Sequence, residues 1–251
     1  MNIGIIIQAR TGSTRMPGKV VKPFYNDASI LEIIIQRILT HFSPTDVVLA
    51  TTTNTLDDAV EELGQRMGVN TFRGSENNVL SRFTDVITKY QYDGVIRVCA
   101  DNPFLDVASF DTFIDWAKES ESDYTAYGVS DNTPTIKTHF GLWAEYVSGK
   151  ALLKAAKLTD EKLYLEHVTN FIYGNPHLFT VDIYKLPQQW LNEKSIRFTL
   201  DSEEDFNLLQ EVYSECMKTN ASLEPGSLLA YVKAKPQIER EMARQVKRWE
   251  K

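Results

Sequence analysis

The chain has 251 residues, of which 43% are apolar and 24% charged. That composition excludes a disordered chain and gives enough apolar surface to bury the core of one or two domains. The formal net charge of −7 argues against a protein built to lie on nucleic acid or an anionic membrane, yet residues 1–26 hold Arg10, Arg15, Lys19 and Lys22 and no acid.

Ile3–Gln8 is a continuous aliphatic run, the pattern of a strand covered on both faces. Ser29 and Glu32 have the spacing of a capping box, and Ile30, Ile34 and Ile38 follow at helical spacing, which predicts a helix opening at Ser29. A second strand is expected over Asp46–Ala50, then a helix from Asp57-Asp58, whose charges suit a helix amino terminus, to about Gly68. Thr71-Phe72-Arg73 reads as a short strand, Asn78–Tyr90 as a helix, Gly94–Ala100 as a strand and Val107–Glu119 as a helix. This βαβαβαβα order predicts an α/β domain of three layers around a mostly parallel sheet.

From Asp123 to about Tyr146 the pattern changes, and a turn at Asp131-Asn132-Thr133-Pro134 predicts a mid-chain hairpin arm. Ser148–Lys157 and Tyr164–Tyr173 read as helices, Phe179–Leu186 and Ile196–Asp201 as strands, and Glu203–Lys218 as an amphipathic helix. Pro236 opens a polar, charged helix expected to reach about residue 250. No linker divides the chain, so residues 1–251 are expected to form a single domain. Cys99 and Cys216 are too few for a disulfide framework or a thiolate zinc site and fit a reducing cytosol. The apolar start is too short for a signal-peptide core and far short of the ~20 apolar residues that cross a bilayer. The expectation is a soluble, cytoplasmic protein.

The basic segment runs from Gln8 to Lys19, immediately after the first strand. In open α/β sheets ligands bind beyond the carboxyl ends of the strands. Gly12 and Gly18 allow close backbone approach, loop amides can cradle phosphate oxygens, and Arg10, Arg15 and Lys19 add three cations. A polyanion such as a nucleoside triphosphate is the expected ligand. The segment is not a P-loop, because five residues separate the glycines and Val20 follows Lys19; it also lacks the Gly-x-Gly-x-x-Gly dinucleotide fingerprint.

Arg97–Asp101 and Arg197–Asp201 share a form, an apolar run that starts with arginine and ends in aspartate. Mg²⁺ bound with nucleotide phosphates takes only one or two protein carboxylates, a role open to Asp101 and Asp201. The same residues also suit a turn at Asn102-Pro103 and a cap on the helix from Glu203. Both readings stand together, since a capping carboxylate can use its other oxygen on a metal.

Together these segments resemble cytidylyltransferases of the spore-coat polysaccharide SpsF type, relatives of the acylneuraminate and 3-deoxy-manno-octulosonate cytidylyltransferases. The resemblance rests on residues 8–19, on Phe72–Phe83, on Arg97–Asp106, on Glu166-His167-Val168-Thr169 and on Arg197–Phe206, and covers about residues 1–215. It implies a GT-A-like nucleotidyltransferase fold and transfer of CMP from CTP to a sugar or sugar acid, with Mg²⁺ and release of pyrophosphate. The implied nucleotide-binding residues are Ala9, Arg10, Gly12, Ser13, Arg15, Lys19, Arg73, Ser75 and Arg82. Arg10, Lys19 and Asp101 are the implied catalytic groups, and Asp101 and Asp201 the implied Mg²⁺ ligands. A small anionic sugar acceptor and a homodimer joined by the mid-chain arm are implied partners. Two positions depart from the family pattern: Ala100 stands where a glycine commonly precedes the metal aspartate, and Leu165 where an arginine often precedes Glu166-His167.

His167 shares a predicted helix with Glu166 and could touch the acceptor or bond within the fold. A GT-A glycosyltransferase using a nucleotide sugar would normally carry an Asp-x-Asp motif, and Asp101-Asn102-Pro103 lacks the second acid. Use of another base, or of a phosphorylated acceptor, stays open from residue types alone, as does a non-catalytic nucleotide-binding role.

Overall fold

The computed structural model describes residues 1–248. The first aliphatic run is β1 (Ile3–Gln8), followed by a small hairpin, β2 (Pro23–Tyr25) and β3 (Ala28–Ser29), and by α1 (Ile30–Leu39). Next come β4 (Val47–Thr52), α2 (Asp58–Arg66), β5 (Asn70–Gly74), α3 (Val79–Tyr90), β6 (Gly94–Cys99) and α4 (Ser109–Ser120). The middle of the chain contributes β7 (Tyr124–Gly128), β8 (Glu145–Ser148), α5 (Gly149–Leu158), α6 (Lys162–Glu166), α7 (Asn170–Tyr173) and β9 (Val181–Lys185). Four helices close it: α8 (Gln188–Leu191), α9 (Glu203–Lys218), α10 (Pro225–Lys233) and α11 (Pro236–Arg248).

Seven strands form one sheet in the order β5-β4-β1-β6-β8-β7-β9, and every strand runs parallel except β8. Alternate residues of β1 supply the two core layers. Ile5 and Ile7 pack with α1, α9 and α10, while Ile6 packs on the other face with Phe83, Val86 and Ile87 of α3 and Leu152 of α5. The capping box that opens α1 is present, with Glu32 N donating to Ser29 Oγ at 3.2 Å and Ser29 N to Glu32 Oε2 at 2.7 Å. From β1 the sheet grows outward through β4 to β5, and then β6 joins on the opposite side of β1. That reversal opens a crevice at the carboxyl ends of β1 and β6, where ligands of such sheets bind.

Several expectations change. The Ile196–Asp201 run is extended but belongs to no ladder; its backbone donates from Phe198 and Thr199 to the carbonyl of His139, at 3.0 and 3.3 Å. Ile196, Phe198 and Leu200 are buried against the flanking core, so apolar alternation here serves a packed crossing segment and not a sheet strand. A Cβ on Gly141 would stand 2.8 Å from the Phe198 carbonyl, so the two segments cross where only glycine fits.

The mid-chain excursion does begin and end as an antiparallel pair, β7 and β8, but both strands are built into the main sheet. Phe140, Leu142, Trp143 and Ala144 pull the connection into the core, which leaves only Ser130, Asp131, Asn132 and Lys137 exposed between residues 123 and 146. The helix expected over Tyr164–Tyr173 is broken at His167 (φ −99°, ψ 74°) into α6 and α7. The β2–β3 hairpin, turned by Asn26 and Asp27 at positive φ, and α10 were not legible in the pattern. The carboxy-terminal helix starts at Pro236 as expected, and the end placed at residue 250 lies outside the described residues.

Candidate active site

Beyond β1 the chain loops over the crevice. Asp57, buried at the start of α2, anchors this loop: Thr11 donates to Asp57 Oδ1 through its amide at 2.6 Å and its hydroxyl at 2.7 Å, and the Thr52 hydroxyl donates to Oδ2. Burial pushes the Asp57 carboxyl up, but the hydrogen bonds from Thr11 and Thr52 outweigh it and hold the group below the usual carboxylate range. Gly18, at φ +72°, closes the loop by donating to the Thr11 carbonyl at 2.9 Å. The amides of Gly12 and Thr14 find no acceptor among the described residues, which leaves them available to an anion.

Carboxylates face this loop from three directions. Asp101, just past β6, accepts from Lys19 Nζ at 2.8 Å, and Lys19 also donates to the Leu200 carbonyl. Asp201, just before α9, accepts from Arg197 Nη2 on Oδ2 at 2.8 Å and from Arg15 Nη1 on Oδ1 at 2.9 Å. Arg197 is fully buried and holds Asp205 as well, with Nε to Oδ1 at 2.8 Å and Nη2 to Oδ2 at 3.0 Å; its Nη1 meets His139 Nδ1 at 2.6 Å. Burial raises the Asp201 carboxyl, but Arg197, Lys19 and Arg15 together lower it below its ordinary value. Glu166, at the end of α6, pairs with Arg10 Nη2 at 3.4 Å.

These groups line one cavity of about 380 Å³, which takes in Ala9, Arg10, Ser13, Arg15, Lys19, Asp101, Glu166, His167 and Asp201. A second cavity of about 550 Å³ shares Gln8, Asp101, His167 and Asp201 with the first and adds Lys137, Thr138, Asn170 and Thr199. A third, of about 130 Å³, lies under Ala9 and Val79 and is lined by Arg82 and Arg97. Gln8 and His167 line all three.

Arg82 is only 2% exposed, and its Nε and Nη1 have no hydrogen-bond partner. Burial, with the nearby Arg10 charge, lowers its guanidinium to about 10. Arg97 is also buried, but its Nε and Nη1 are both engaged. Its Nε donates to Gln8 Oε1 at 2.9 Å and its Nη1 to Glu145 Oε1 at 2.5 Å, while Thr169 and Tyr124 donate their hydroxyls to the same carboxylate.

Comparison with known proteins decides the family. The cytidylyltransferase family model matches residues 4–233. The chain belongs to the cytidylyltransferase family. Its relatives include an uncharacterised protein of Methanocaldococcus jannaschii, 36% identical over 95% of this chain and 93% of that one. They also include the spore coat polysaccharide biosynthesis protein SpsF of Bacillus subtilis, 33% identical over 85% of this chain and 87% of that one. A solved cytidylyltransferase from Leptospira borgpetersenii superposes with a TM-score of 0.83 at 28% identity, covering 95% of this chain and 96% of that one. The reaction class is therefore CTP-dependent nucleotidyl transfer, and the seven-stranded α/β sheet is the nucleotidyltransferase fold expected from the sequence.

Within this cytidylyltransferase the fold brings Ala9, Arg10, Ser13, Arg15, Lys19, Asp101 and Asp201 to a single cavity, with Arg82 in the small one beside it. Gly12 is exposed next to Glu76. Arg73 and Ser75 line none of the three cavities. Arg73 binds Asp58 and Glu61 at 2.6 and 2.9 Å and the carbonyls of Thr52 and Asn54 at 2.8 and 2.7 Å, so it ties β4, β5 and α2 together. Ser75 is exposed and accepts from Asn78 N at 3.1 Å at the entry to α3.

Contributors that were not read as site residues include Gln8, Asp57, Lys137, Glu166 and Arg197. Asp57 looked only like a helix-start acid, because its partner Thr11 lies 46 residues earlier. Arg197 carried a signal, as the first residue of a run ending in aspartate. No group of three or more His, Cys, Asp or Glu side chains is arranged to hold a metal among the described residues.

Proposed function

We propose that this protein moves CMP from CTP to an anionic sugar acceptor and releases pyrophosphate. The observation that carries the reading is the convergence of Arg10, Arg15 and Lys19 with Asp101 and Asp201 on one cavity at the switch point of the sheet. The triphosphate lies across residues 9–19, with Gly12 and Thr14 amides and the three cations on its oxygens. Arg82, which lines the adjoining small cavity and has two buried nitrogens without a partner, donates to an acceptor atom of the base. The acceptor occupies the 550 Å³ cavity, where Lys137 offers a cation for its acid group and Thr138, Asn170 and Thr199 offer partners for hydroxyls.

Two carboxylates on one cavity suit a Mg²⁺ that takes its remaining positions from phosphate oxygens and water. Held by Asp101 and Asp201, it would neutralise phosphate charge and lower the pKa of the attacking hydroxyl. The chain's own groups do the rest by alignment and charge. Arg197 keeps one oxygen of Asp201 engaged so that the other faces the cavity. An acceptor hydroxyl gives its proton to water and its oxygen attacks the α-phosphorus, the bond to the oxygen bridging the α- and β-phosphates breaks, and Lys19, Arg10 and Arg15 neutralise the charge that collects on departing pyrophosphate.

Likeness to SpsF supports a place in surface polysaccharide synthesis. We assign the reaction to the cytoplasm, in accord with two cysteines that form no disulfide and no helix long and apolar enough to cross a membrane among the described residues. The homodimer is inferred from the family resemblance, and light scattering on the purified protein tests it.

The deciding assay measures pyrophosphate release with Mg²⁺, each of the common nucleoside triphosphates, and a panel of sugar acids, sugar phosphates and neutral sugars. Turnover is expected with CTP and a sugar acid. Lys19→Ala and Asp101→Asn should each lose about two decades in rate, roughly 3 kcal/mol, with cooperative unfolding retained. Near-wild-type release from both variants would remove the site assignment.

A further inference from the structure

Every cation of the phosphate loop already has a carboxylate partner, and each partner comes from a different part of the chain. Lys19 has Asp101 past β6 at 2.8 Å, Arg15 has Asp201 before α9 at 2.9 Å, and Arg10 has Glu166 at the end of α6 at 3.4 Å. The six side chains line the same cavity, so they bring it no net charge although the loop itself is purely basic. A metal-free triphosphate, with about four negative charges, must compete with three carboxylates for the same cations and be repelled by them. Complexed with a divalent cation it carries about two, and the repulsion is roughly halved.

Glu166 is set apart from the two aspartates. It guards the one loop cation that neither aspartate touches, and it also lines the small cavity of Arg82. Its side chain and that of Arg10 are 56% and 37% exposed, so the pair is weak and opens at little cost.

We propose that Glu166 is a specificity-determining residue that, acting with Asp101, makes the site select metal-complexed nucleotide over free nucleotide. The inference rests on the CTP reading above. When complexed nucleotide enters, phosphate takes Arg10 and Lys19 and the carboxylates are released from them. When metal-free nucleotide or pyrophosphate is present, the carboxylates hold the cations and keep it out. Removal of a carboxylate then has an unusual consequence: it improves binding of the metal-free ligand.

The test is calorimetric titration of CTP into wild-type protein, Glu166→Gln and Asp101→Asn at low ionic strength, once with EDTA and once with Mg²⁺, with no acceptor present. Glu166→Gln should bind metal-free CTP about threefold more tightly than wild type, and the ratio of Mg²⁺-dependent to metal-free affinity should shrink. Asp101→Asn should bind metal-free CTP about tenfold more tightly and lose most of the gain from Mg²⁺. Because the comparison is between variants, association of Mg²⁺ with CTP in solution cancels. A metal-free affinity equal to or below wild type in Glu166→Gln overturns the proposal, whatever Asp101→Asn does, while leaving the CTP reading intact, provided wild type binds CTP with Mg²⁺. Absence of CTP binding by wild type in both buffers overturns both.

Discussion

Two buried arginines line the same small cavity and stand in opposite states. On β6, Arg97 is enclosed by Gln8, Glu145 and Thr169, and Tyr124 completes the carboxylate's hydrogen bonds. On α3, a few residues into the helix, Arg82 has two nitrogens with no partner. Burial opposes the charge on Arg97, but Cys99 and the Glu145 carboxylate more than offset it and raise the guanidinium above its ordinary value. Arg82, without such a carboxylate, is lowered instead. A buried charge that is fully bonded belongs to the architecture. One that is buried and left open is costly to the fold unless something else meets it, which is the ground for the proposal that a ligand completes the hydrogen bonds of Arg82.

The largest test of this contrast is Glu145→Ala. It strands the Arg97 charge in the core and should cost about 3–5 kcal/mol in chemical denaturation. A loss below about 1 kcal/mol would mean that the Arg97 network does not hold the sheet centre. Arg82→Leu should behave in the opposite way: unfolding free energy stays level or rises by about 1 kcal/mol, while CTP affinity measured by calorimetry falls about tenfold or more. If Arg82→Leu instead unfolds the protein and leaves affinity intact, the two arginines are alike and the contrast fails.

Asp57 adds a third buried charge, fully bonded like Arg97 but serving the loop. Asp57→Asn should cost about 1–3 kcal/mol and weaken CTP binding through a loosened loop. Its pKa, like that of Asp201, is lower in the folded state than its ordinary 3.8. The stabilisation from both is therefore complete well above 3.8 and is lost as the pH falls through their depressed folded values. The fall in melting temperature below about pH 5 should be shallower in Asp57→Asn than in wild type, and superimposable acid limbs would refute the linkage. The smallest effect is expected from Arg73→Ala. Its partners Thr52 and Asp58 line none of the three cavities, so turnover should change by less than about twofold with only a small loss of stability.

Much of the fold was legible because it is written in local periods. The aliphatic run of β1, the capping box at Ser29 and the alternation of strands and helices to Ser120 all follow from contacts within a few residues. The loop of residues 8–19 was legible for the same reason, since its cations and glycines are contiguous. Ile196–Asp201 misled because apolar alternation reports which side chains are buried, and a packed crossing segment buries them as a strand does. The expected helix breaks at His167, a residue that lines all three cavities.

The sequence by itself determined the class of sheet, the position of a basic, glycine-containing loop at a strand end, and the two aspartates that face it. Periodicity and local charge carry that information, and both are properties of neighbours in the chain. Only the tertiary structure decided that the loop's basic charge is cancelled by Asp101, Glu166 and Asp201, and that Arg82 is open while Arg97 is closed. It likewise decided that Arg73 serves the fold and that Asp57 holds the loop. The pairing of the loop cations joins side chains 82 residues apart for Lys19 with Asp101 and 156 for Arg10 with Glu166, and charge pairing at that separation leaves no mark on the local pattern of either partner.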